Sequence, residues 1–415
     1  MIQTIRGFRD ILPEEIEVWQ RIEQEAKNIF ENFGFKEIRL PILEKTEVFA
    51  RGIGENTDIV EKEMFTFPDS KGKNQTMRPE ATASIVRSYI QHKMYAREPE
   101  QKLYTIGPMF RRERPQKGRY RQFYQINAEV LGIDSPLLDA QILVMLNRLF
   151  KNLDVKNLLT KINSLGCAVC RKKYNEILSA FIEKSEGLCE DCERRKTKNP
   201  LRILDCKVES CRKQLQGAPL LKDYLCDECS THFEQLKQCL ELEKIDYETD
   251  DYLVRGLDYY TKTAFEIQTK ELGAQSAVAG GGRYDGLVEI LGGPKTPGIG
   301  FAIGFDRLAE IVASKQEELK NGPFVYFLTF GENSAKKGFS LCNSLVSEGI
   351  RAEMDFSDKS MKAAMKKANK SNCRFCAIIG ENEVEKGIIS LKNMEEGTQE
   401  EVQEKDFISI IKKYI

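Results

Sequence analysis

The chain has 415 residues, with 63 lysines and arginines against 64 acidic residues and a formal net charge of −1. Near-neutrality excludes the whole-molecule positive field of a non-specific nucleic-acid binder, though not a local basic patch. No stretch approaches the run of about 18 apolar residues that spans a membrane, and the charged start MIQTIRGFRDILPEE has no apolar signal core. A soluble, cytoplasmic chain of roughly two to four domains is therefore expected.

Residues 13–33 set Ile16, Trp19, Ile22, Ala26, Ile29 and Phe33 at spacings of three and four behind Pro13 and two acids. This pattern predicts an amphipathic helix, which Gly34 ends. FKEIRLPILE reads as a strand interrupted by Pro41, a residue that belongs at an edge or an interface. KLYTIGPMFRRE and YRQFYQINAEVLG flank a basic loop and predict a long antiparallel hairpin. Ser135-Pro136 caps a helix running to about Leu153. DYLVRGLDYYTKTAFEIQTK, GAQSAVAGGGRYDGLVEIL and GIGFAIGFDRLAEIVA then give strands, a glycine turn, and a strand leading into a helix. Beyond the polar link SKQEELKNGP, the runs FVYFLTFG, RAEMDF, CAIIG and GIISLKN alternate with helical stretches near 333–347, 358–370 and 404–414. Such alternation predicts a small α/β domain with a mostly parallel sheet. There is no internal repeat.

The loop FRRERPQKGRYR, from Phe110 to Arg121, carries six basic residues against one acid. On a hairpin such a cluster suits phosphate, because arginine is a planar, always-charged, bidentate donor, and it equally suits a solvated surface loop. MRPEATASIVR sets Glu80 between an extended Arg-Pro and a helix start, and AGGGRYDGL marks close backbone approach. The GxGxxxG spacing of GIGFAIGFDRL is not the dinucleotide fingerprint, which needs GxGxxG after a strand.

In this order, the proline-bearing strand after a long helix, the arginine-rich hairpin and the glycine strand feeding a helix with Arg307 resemble the three signature motifs of class II aminoacyl-tRNA synthetases. LVRGLDYYTKTAFEI with AGGGRYDGL narrows the resemblance to the histidyl-tRNA synthetase family, and the likeness covers nearly the whole chain. It implies an α+β fold: an antiparallel class II catalytic sheet with helices over 1–164 and 241–318, a helical cysteine-bearing insertion over 165–240, and a C-terminal α/β anticodon-binding domain over 322–415. It also implies a homodimer that uses ATP with Mg2+, L-histidine and tRNA(His). By the same resemblance Arg111, Arg255 and Arg307 are catalytic, with Arg111 on the α-phosphate, Arg255 opposite it and Arg307 at the γ-phosphate end. Glu113 joins Arg111 and Arg307 at ATP. Glu80, Thr82 and Gln125 bind the α-ammonium, and Glu129 and Tyr260, beside Tyr259, bracket the imidazole ring. A carboxylate opposite a phenol suits a ring with one donor and one acceptor. Arg114, Gln116, Lys117 and Arg119 at the hairpin tip meet the tRNA acceptor end. One departure stands out: Ala81 replaces the glycine of the family's Glu-Gly-Thr motif, which narrows the backbone approach there without implying lost function.

Two other readings share parts of this pattern. One is the non-catalytic regulatory paralogue that serves ATP phosphoribosyltransferase as a histidine sensor; Arg111, Arg255 and residues 322–415 count against it. The other is a class II synthetase for glycine, threonine or proline, against which RGLDYYT and the Glu129/Tyr260 pair count.

The cysteines are unevenly spread. Eight of twelve fall between Cys167 and Cys229, as three C-x2-C pairs (Cys167/Cys170, Cys189/Cys192, Cys226/Cys229) and one C-x4-C pair (Cys206/Cys211). In a reducing compartment disulfides are not expected, and this spacing is that of structural zinc, although eight small core thiols would also satisfy it. A natural division puts Cys167, Cys170, Cys189 and Cys192 in one site and Cys206, Cys211, Cys226 and Cys229 in the other. Interleaved pairing, a single site, an iron–sulfur cluster and His232 as a substitute ligand stay open. Metal would supply much of the folding energy of this charged segment, so its loss is expected to weaken tRNA charging while histidine-dependent pyrophosphate exchange survives. Cys373 and Cys376 run into a strand and are expected in a core, and His92 on a surface.

Overall fold

The computed structural model describes all residues except 56, 117, 273–276, 316–321 and 358–359. The chain divides into two compact units, Met1–Lys315 and Gln316–Ile415.

In the first unit, helix α1 (Pro13–Asn32) buries Val18, Trp19, Ile22, Ala26, Ile29 and Phe30, with the proline at its first turn. Ile16 and Phe33, at the two ends of the expected stripe, are only partly buried. Gly34 takes φ +83, the left-handed conformation that releases the chain from the helix. Strand β1 (Lys36–Glu37) follows, then the short strands β2 (Leu43–Lys45), β3 (Phe65–Pro68) and β4 (Asn74–Met77), which form a sheet of their own in the order β2-β4-β3. Pro41 lies exposed between β1 and β2, outside any ladder.

Helix α2 (Thr82–Gln91) precedes the long hairpin of β5 (Gln101–Phe110) and β6 (Gln122–Leu131), paired antiparallel from Gln101↔Leu131 to Phe110↔Gln122. Helix α3 (Pro136–Asn152) starts as expected: the Ser135 hydroxyl accepts the N–H of Leu137. Then come β7 (Leu158–Ser164), a helical segment, β8 (Tyr247–Thr249), β9 (Thr261–Thr269), β10 (Ala277–Arg283) and β11 (Gly298–Gly304). These strands complete an eight-stranded sheet in the order β1-β5-β6-β11-β10-β9-β7-β8. Its six central strands pair antiparallel, and only the two edge pairings are parallel.

Alternation along β11 decides which face is core. Ile299, Phe301 and Ile303 are buried on one side in the core shared with α1 and α3, whereas the intervening positions are Gly298, Gly300, Ala302 and Gly304. The chain then enters the helix Phe305–Ala313, whose Phe305 ring stacks on Trp19 at 4.3 Å and 27°. Removing such a buried ring costs about 3–5 kcal/mol. The helices therefore occupy one face and leave the small-residue face open.

The segment between β7 and β8 holds α4 (Ala168–Ile182), α5 (Glu190–Lys198), a 3-10 turn at Pro200–Ile203, α6 (Glu209–Gln214) and α7 (Asp227–Leu242). Tyr174, Leu178, Ile182, Ile203, Leu215 and three cysteines (Cys192, Cys206 and Cys211) share one core with Tyr89, Tyr259 and Tyr284 of the sheet region. Helix α7 buries Phe233, Leu236 and Leu240 in the main sheet core.

The second unit has β12 (Val325–Phe330), β13 (Ala352–Met354), β14 (Phe375–Gly380), β15 (Ile388–Asn393) and β16 (Gln399–Gln403), ordered β13-β12-β14-β15-β16. The first three are parallel, but the β14/β15 and β15/β16 pairings are antiparallel, so the sheet is mixed rather than mostly parallel. The connections explain this. A parallel return needs a crossover of about a dozen residues or more, whereas β14 and β15 are joined by the short helix Glu381–Lys386 and β15 and β16 by a turn through Gly397. Helices Glu332–Ser347, Met361–Lys370 and Phe407–Lys412 match the expected stretches in kind, and positions 358–359 lie outside the described residues. Cys373 and Cys376 are buried, as expected. Among the described residues no helix is long and apolar enough to cross a membrane.

Candidate functional site

The open face of the sheet carries the chemistry. Period-two alternation puts Gln125, Asn127 and Glu129 of β6 on this face, and their partners across the ladder are Gly304, Ala302 and Gly300. With nothing larger than a methyl on these partners, a cavity of about 250 Å³ opens beside Gln125 and Asn127, and Glu80, Thr82, Arg111, Arg255, Tyr260 and Arg307 also line it. At two glycines a Cβ would collide with a side chain of the site. A Cβ on Gly280 would stand 2.2 Å from Nη2 of Arg255, and one on Gly300 would stand 1.6 Å from Oε2 of Glu129.

Three arginines expected from sequence meet in this cavity from separate parts of the chain. Arg111 donates Nε to the Pro79 carbonyl at 2.9 Å and lies 5.2 Å above the Phe123 ring. Arg255 donates Nη1 to Glu266 at 2.7 Å, and its buried Nε has no hydrogen-bond partner among the described residues. Arg307 donates Nη1 to the Ala277 carbonyl at 2.9 Å. Each guanidinium is anchored by a backbone carbonyl or a carboxylate and lines the cavity, so three permanent cations meet at one space, which suits a multiply charged anion. Glu113 belongs to the same wall, ion-paired with Arg111 at 3.8 Å and with Arg119.

Glu80 is buried and accepts the N–H groups of Thr82 and Ala83 at 2.7 and 2.9 Å, so it caps its own helix while facing the cavity. Burial pushes its carboxyl up, against those hydrogen bonds. Ala81 is fully buried. Gln125 and Asn127 each bury a side-chain oxygen that has no hydrogen-bond partner among the described residues, acceptors that suit a donor ligand such as an ammonium. Tyr259 and Tyr260 line the cavity with ring centroids 4.7 Å apart.

Glu129 is bonded within the protein. Its oxygens accept Thr82 Oγ1 and Tyr284 Oη, each at 2.6 Å, and it lies behind the cavity wall that Tyr260 helps to form. Burial pushes its carboxyl up to about 8, with the Thr82 and Tyr284 bonds opposing. Tyr284, Asn127 and Glu266 were not singled out from sequence. Alternation from Gln125 and Glu129 would have found Asn127, and Tyr284 sits inside the AGGGRYDGL motif.

At the hairpin tip, Gln116 and Arg119 exchange backbone hydrogen bonds of 3.0 and 2.9 Å around Gly118 at φ +69. Arg114 and Gln116 are exposed, Arg119 turns back toward Glu113 and the cavity, and Lys117 lies outside the described residues. A second, open cavity of about 1020 Å³ shares Arg119, Arg255 and Arg307 with the first and continues to Lys207 and Arg212.

The eight cysteines form two sets whose sulfurs lie within 4.8 Å of one another, Cys167, Cys170, Cys226 and Cys229 in one and Cys189, Cys192, Cys206 and Cys211 in the other. This corrects the division expected from order along the chain. Helix α4, about 22 Å long at 1.5 Å per residue, carries the Cys189/Cys192 pair away from Cys167/Cys170. Cys226 caps α7 at the place where the inserted segment returns to β7. Sulfur separations of 3.6 Å (Cys167–Cys170), 4.0 Å (Cys167–Cys226) and 3.8 Å (Cys189–Cys206) match the separation of about 3.8 Å set by tetrahedral Zn–S bonds of about 2.3 Å. The N–H groups of Cys226 and Cys189 point at Cys170 and Cys211 sulfurs, both at 3.1 Å. The Cys167 thiol is lowered to about 7 by N–H and thiol donors acting against burial, whereas burial and neighbouring thiols push Cys192 and Cys229 up. Four thiolates so close repel, and a bound cation would relieve that. Both sets can hold a metal ion.

His232 is not one of these ligands. Its Nε2 lies 2.8 Å from Asp139 in a buried network with Thr263 and Arg283. His92 is exposed, as expected.

An antiparallel sheet that opens an arginine-lined cavity on its glycine face, fed by an arginine hairpin and backed by a helix with Arg307, defines a class II aminoacyl-tRNA synthetase. A family model described as Histidyl-tRNA synthetase matches residues 7–308, and one described as Anticodon binding domain matches 325–414. The chain belongs to the histidyl-tRNA synthetase family. It is 57% identical over 403 residues to a histidine–tRNA ligase of Desulfatibacillum aliphaticivorans, covering 97% of this chain and 96% of that one. It is 51% identical over 404 residues to the histidine–tRNA ligase of Geobacter sulfurreducens, covering 97% of each. The crystal structure of apo S. aureus histidyl-tRNA synthetase superposes with a TM-score of 0.84 at 36% identity, over 99% of this chain and 100% of that one. The regulatory-paralogue reading is not favoured.

Proposed function

We propose that this chain is a histidine–tRNA ligase whose cavity joins L-histidine to ATP and then passes the histidyl group to the 3′ end of tRNA(His). In the first step a histidine carboxylate oxygen bonds the α-phosphorus and the bond to the β-phosphate oxygen breaks, releasing pyrophosphate. In the second a terminal ribose hydroxyl attacks the acyl carbon, AMP leaves, and an adenylate phosphate oxygen takes the hydroxyl proton. In-line displacement at phosphorus needs positioning and charge neutralisation more than a protein nucleophile. The observation that carries this reading is the convergence of Arg111, Arg255 and Arg307 on one cavity beside the unpaired Gln125 oxygen.

Arg111 and Arg255 approach the α-phosphate from opposite sides, and Arg307 takes the γ-phosphate end. ATP enters with Mg2+, for which Glu113 and Glu266 are carboxylates of the same wall. Glu80, Thr82 and Gln125 receive the α-ammonium. Tyr260, flanked by Tyr259, meets one imidazole nitrogen. Glu129 meets the other by exchanging a bond now made to Thr82 or Tyr284. Arg114, Gln116, Lys117 and Arg119 contact the acceptor end, and the second cavity, with Lys207 and Arg212, is wide enough for its phosphates. The two cysteine sets hold structural zinc with all four positions closed to substrate, in a reducing cytoplasm. Residues 165–240 act as the inserted clamp, 322–415 as the anticodon reader, and the protein works as a homodimer. The exposed Ile42 and Leu43 beside Pro41 support that assembly.

Pyrophosphate exchange with each amino acid in turn tests the reading. Exchange with histidine alone is expected; none with histidine, or equal exchange with another amino acid, overturns it.

A further inference from the structure

We propose that the cysteine-rich insertion also positions the amino-acid-activating segment Arg255–Tyr260, with Arg171, Asn199 and Arg202 as positioning residues, so that metal in the two cysteine sets governs histidine activation itself. This rests on the ligase reading above and departs from the expectation that activation would be independent of the insertion.

The segment 253–260 belongs to no helix or strand, so no ladder holds the arginine and tyrosines it carries. Three insertion side chains do. Arg202 donates Nη1 to the Arg255 carbonyl at 2.8 Å, Asn199 donates Nδ2 to the Asp258 carboxylate at 2.6 Å, and Arg171 donates Nη1 to the Tyr260 carbonyl at 2.9 Å. The residues fixed in this way are the catalytic arginine, the carboxylate midway, and the ring partner of the substrate. On the other side, the Asp258 N–H reaches the Ile53 carbonyl at 3.1 Å, Asn163 of β7 donates Nδ2 to the Leu253 carbonyl at 3.0 Å, and the Arg255 side chain meets Glu266 of β9.

Each of the three is tied to a cysteine set. Arg171 lies one turn into α4, with its N–H on the carbonyl of the capping Cys167 at 3.0 Å. Asn199 and Arg202 fall in the stretch between Cys192 and Cys206, two members of the second set, so a metal there would close the loop that carries both. The end of that loop buries Ile203 and Leu204, but its start has little apolar hold. Helix α5, EDCERRKTK, buries only Cys192, and it is otherwise anchored by ion pairs of Arg194 and Arg195 to Asp58, of Arg194 and Lys198 to Glu61, and of Asp191 to Lys62. An amphipathic helix would dock through an apolar face; this one docks through a thiol and charges. Without metal, the loop loses its closure and the backbone of Arg255 loses its fixed donor.

The test uses the full-length protein with metal per chain quantified, graded removal of zinc by a chelator, and the variants N199A, R202A and R202K. Histidine binding is followed by calorimetry without ATP, and pyrophosphate exchange is resolved into kcat and the KM for histidine. N199A and R202A are expected to keep their metal and thermal midpoint, yet to lose about 10-fold or more in kcat with a raised KM. R202K, which still donates to the carbonyl, recovers part of the loss. Zinc removal lowers histidine affinity and kcat together, and adds little in R202A. Unchanged kinetics in both alanine variants overturn the inference while histidine exchange by the wild type keeps the ligase reading intact. Full histidine affinity and exchange after zinc removal, or a purified chain with no metal, overturn the coupling to the cysteine sets. Absence of histidine exchange in the wild type overturns the ligase reading instead.

Discussion

Gly280 lies directly under the guanidinium of Arg255, so close that a Cβ would stand 2.2 Å from Nη2. The strand β10 gives up a side chain so that an arginine from a separate loop can reach the cavity between it and Glu266. Gly280 has no left-handed φ, so alanine is compatible with its backbone, and the obstructed group is the mobile end of a side chain. Gly280→Ala should therefore leave the thermal midpoint almost unchanged. It should lower kcat for pyrophosphate exchange on the order of 100-fold, as loss of one charge-stabilising donor does. A stable variant with wild-type exchange would show that Arg255 works from another position.

Glu129 gives a stability signature in pH. Its carboxyl, raised to about 8 from 4.5 chiefly by burial, binds its proton more tightly folded than unfolded. The contribution is fully present below about 4.5 and is lost as pH rises through about 8, so stability should fall across that window by on the order of a few kcal/mol. Glu129→Gln keeps the shape and removes the titration. Urea unfolding of wild type and variant from about pH 5 to 8.5 should show a slope in the first that is absent from the second. Parallel slopes would assign the dependence to another group.

Arg283 and Asp139 are both fully buried, and Nε of Arg283 donates one bifurcated hydrogen bond to the two carboxylate oxygens at 2.9 and 3.0 Å. Thr263 and His232 complete the carboxylate's partners. Asp139→Ala would leave a buried guanidinium with Asp285 and Asp134, both partly exposed, as its remaining carboxylates. The expected loss is about 3–5 kcal/mol by denaturant unfolding, the scale for a broken buried pair. A loss below about 1 kcal/mol would be the behaviour of a surface pair.

The cysteine pairing predicts metal stoichiometry. A chain with Cys167→Ser and Cys226→Ser together should retain one zinc of two, because both changes strike the same set. Cys167→Ser with Cys189→Ser strikes both sets and should retain none. The division by order along the chain predicts the reverse, so metal analysis of these two double variants decides it.

Much of this was legible in the chain. The 3.6 period of α1, the Ser135 cap and the alternation of the β5/β6 hairpin are local patterns, and local sterics and capping enforce them wherever they fall. The arginines and the glycine strand were legible as motifs. The C-terminal sheet was misjudged as mostly parallel because alternation of strand and helix does not reveal that one helix is too short to cross over. Glu129 was placed against the substrate, but its orientation depends on Tyr284, which is 155 positions further along.

By itself, the sequence determined most of the elements, the small-residue face of β11, the paired cysteines and the basic cluster of the hairpin, since each follows from residue type and short spacing. The tertiary structure alone decided which cysteines share a sulfur cage, that Gly280 makes room for Arg255, and that Asn199 and Arg202 brace a loop some fifty residues away. Those relations depend on where helices end in space and on which backbone groups are left without a partner, and no short-range pattern encodes either.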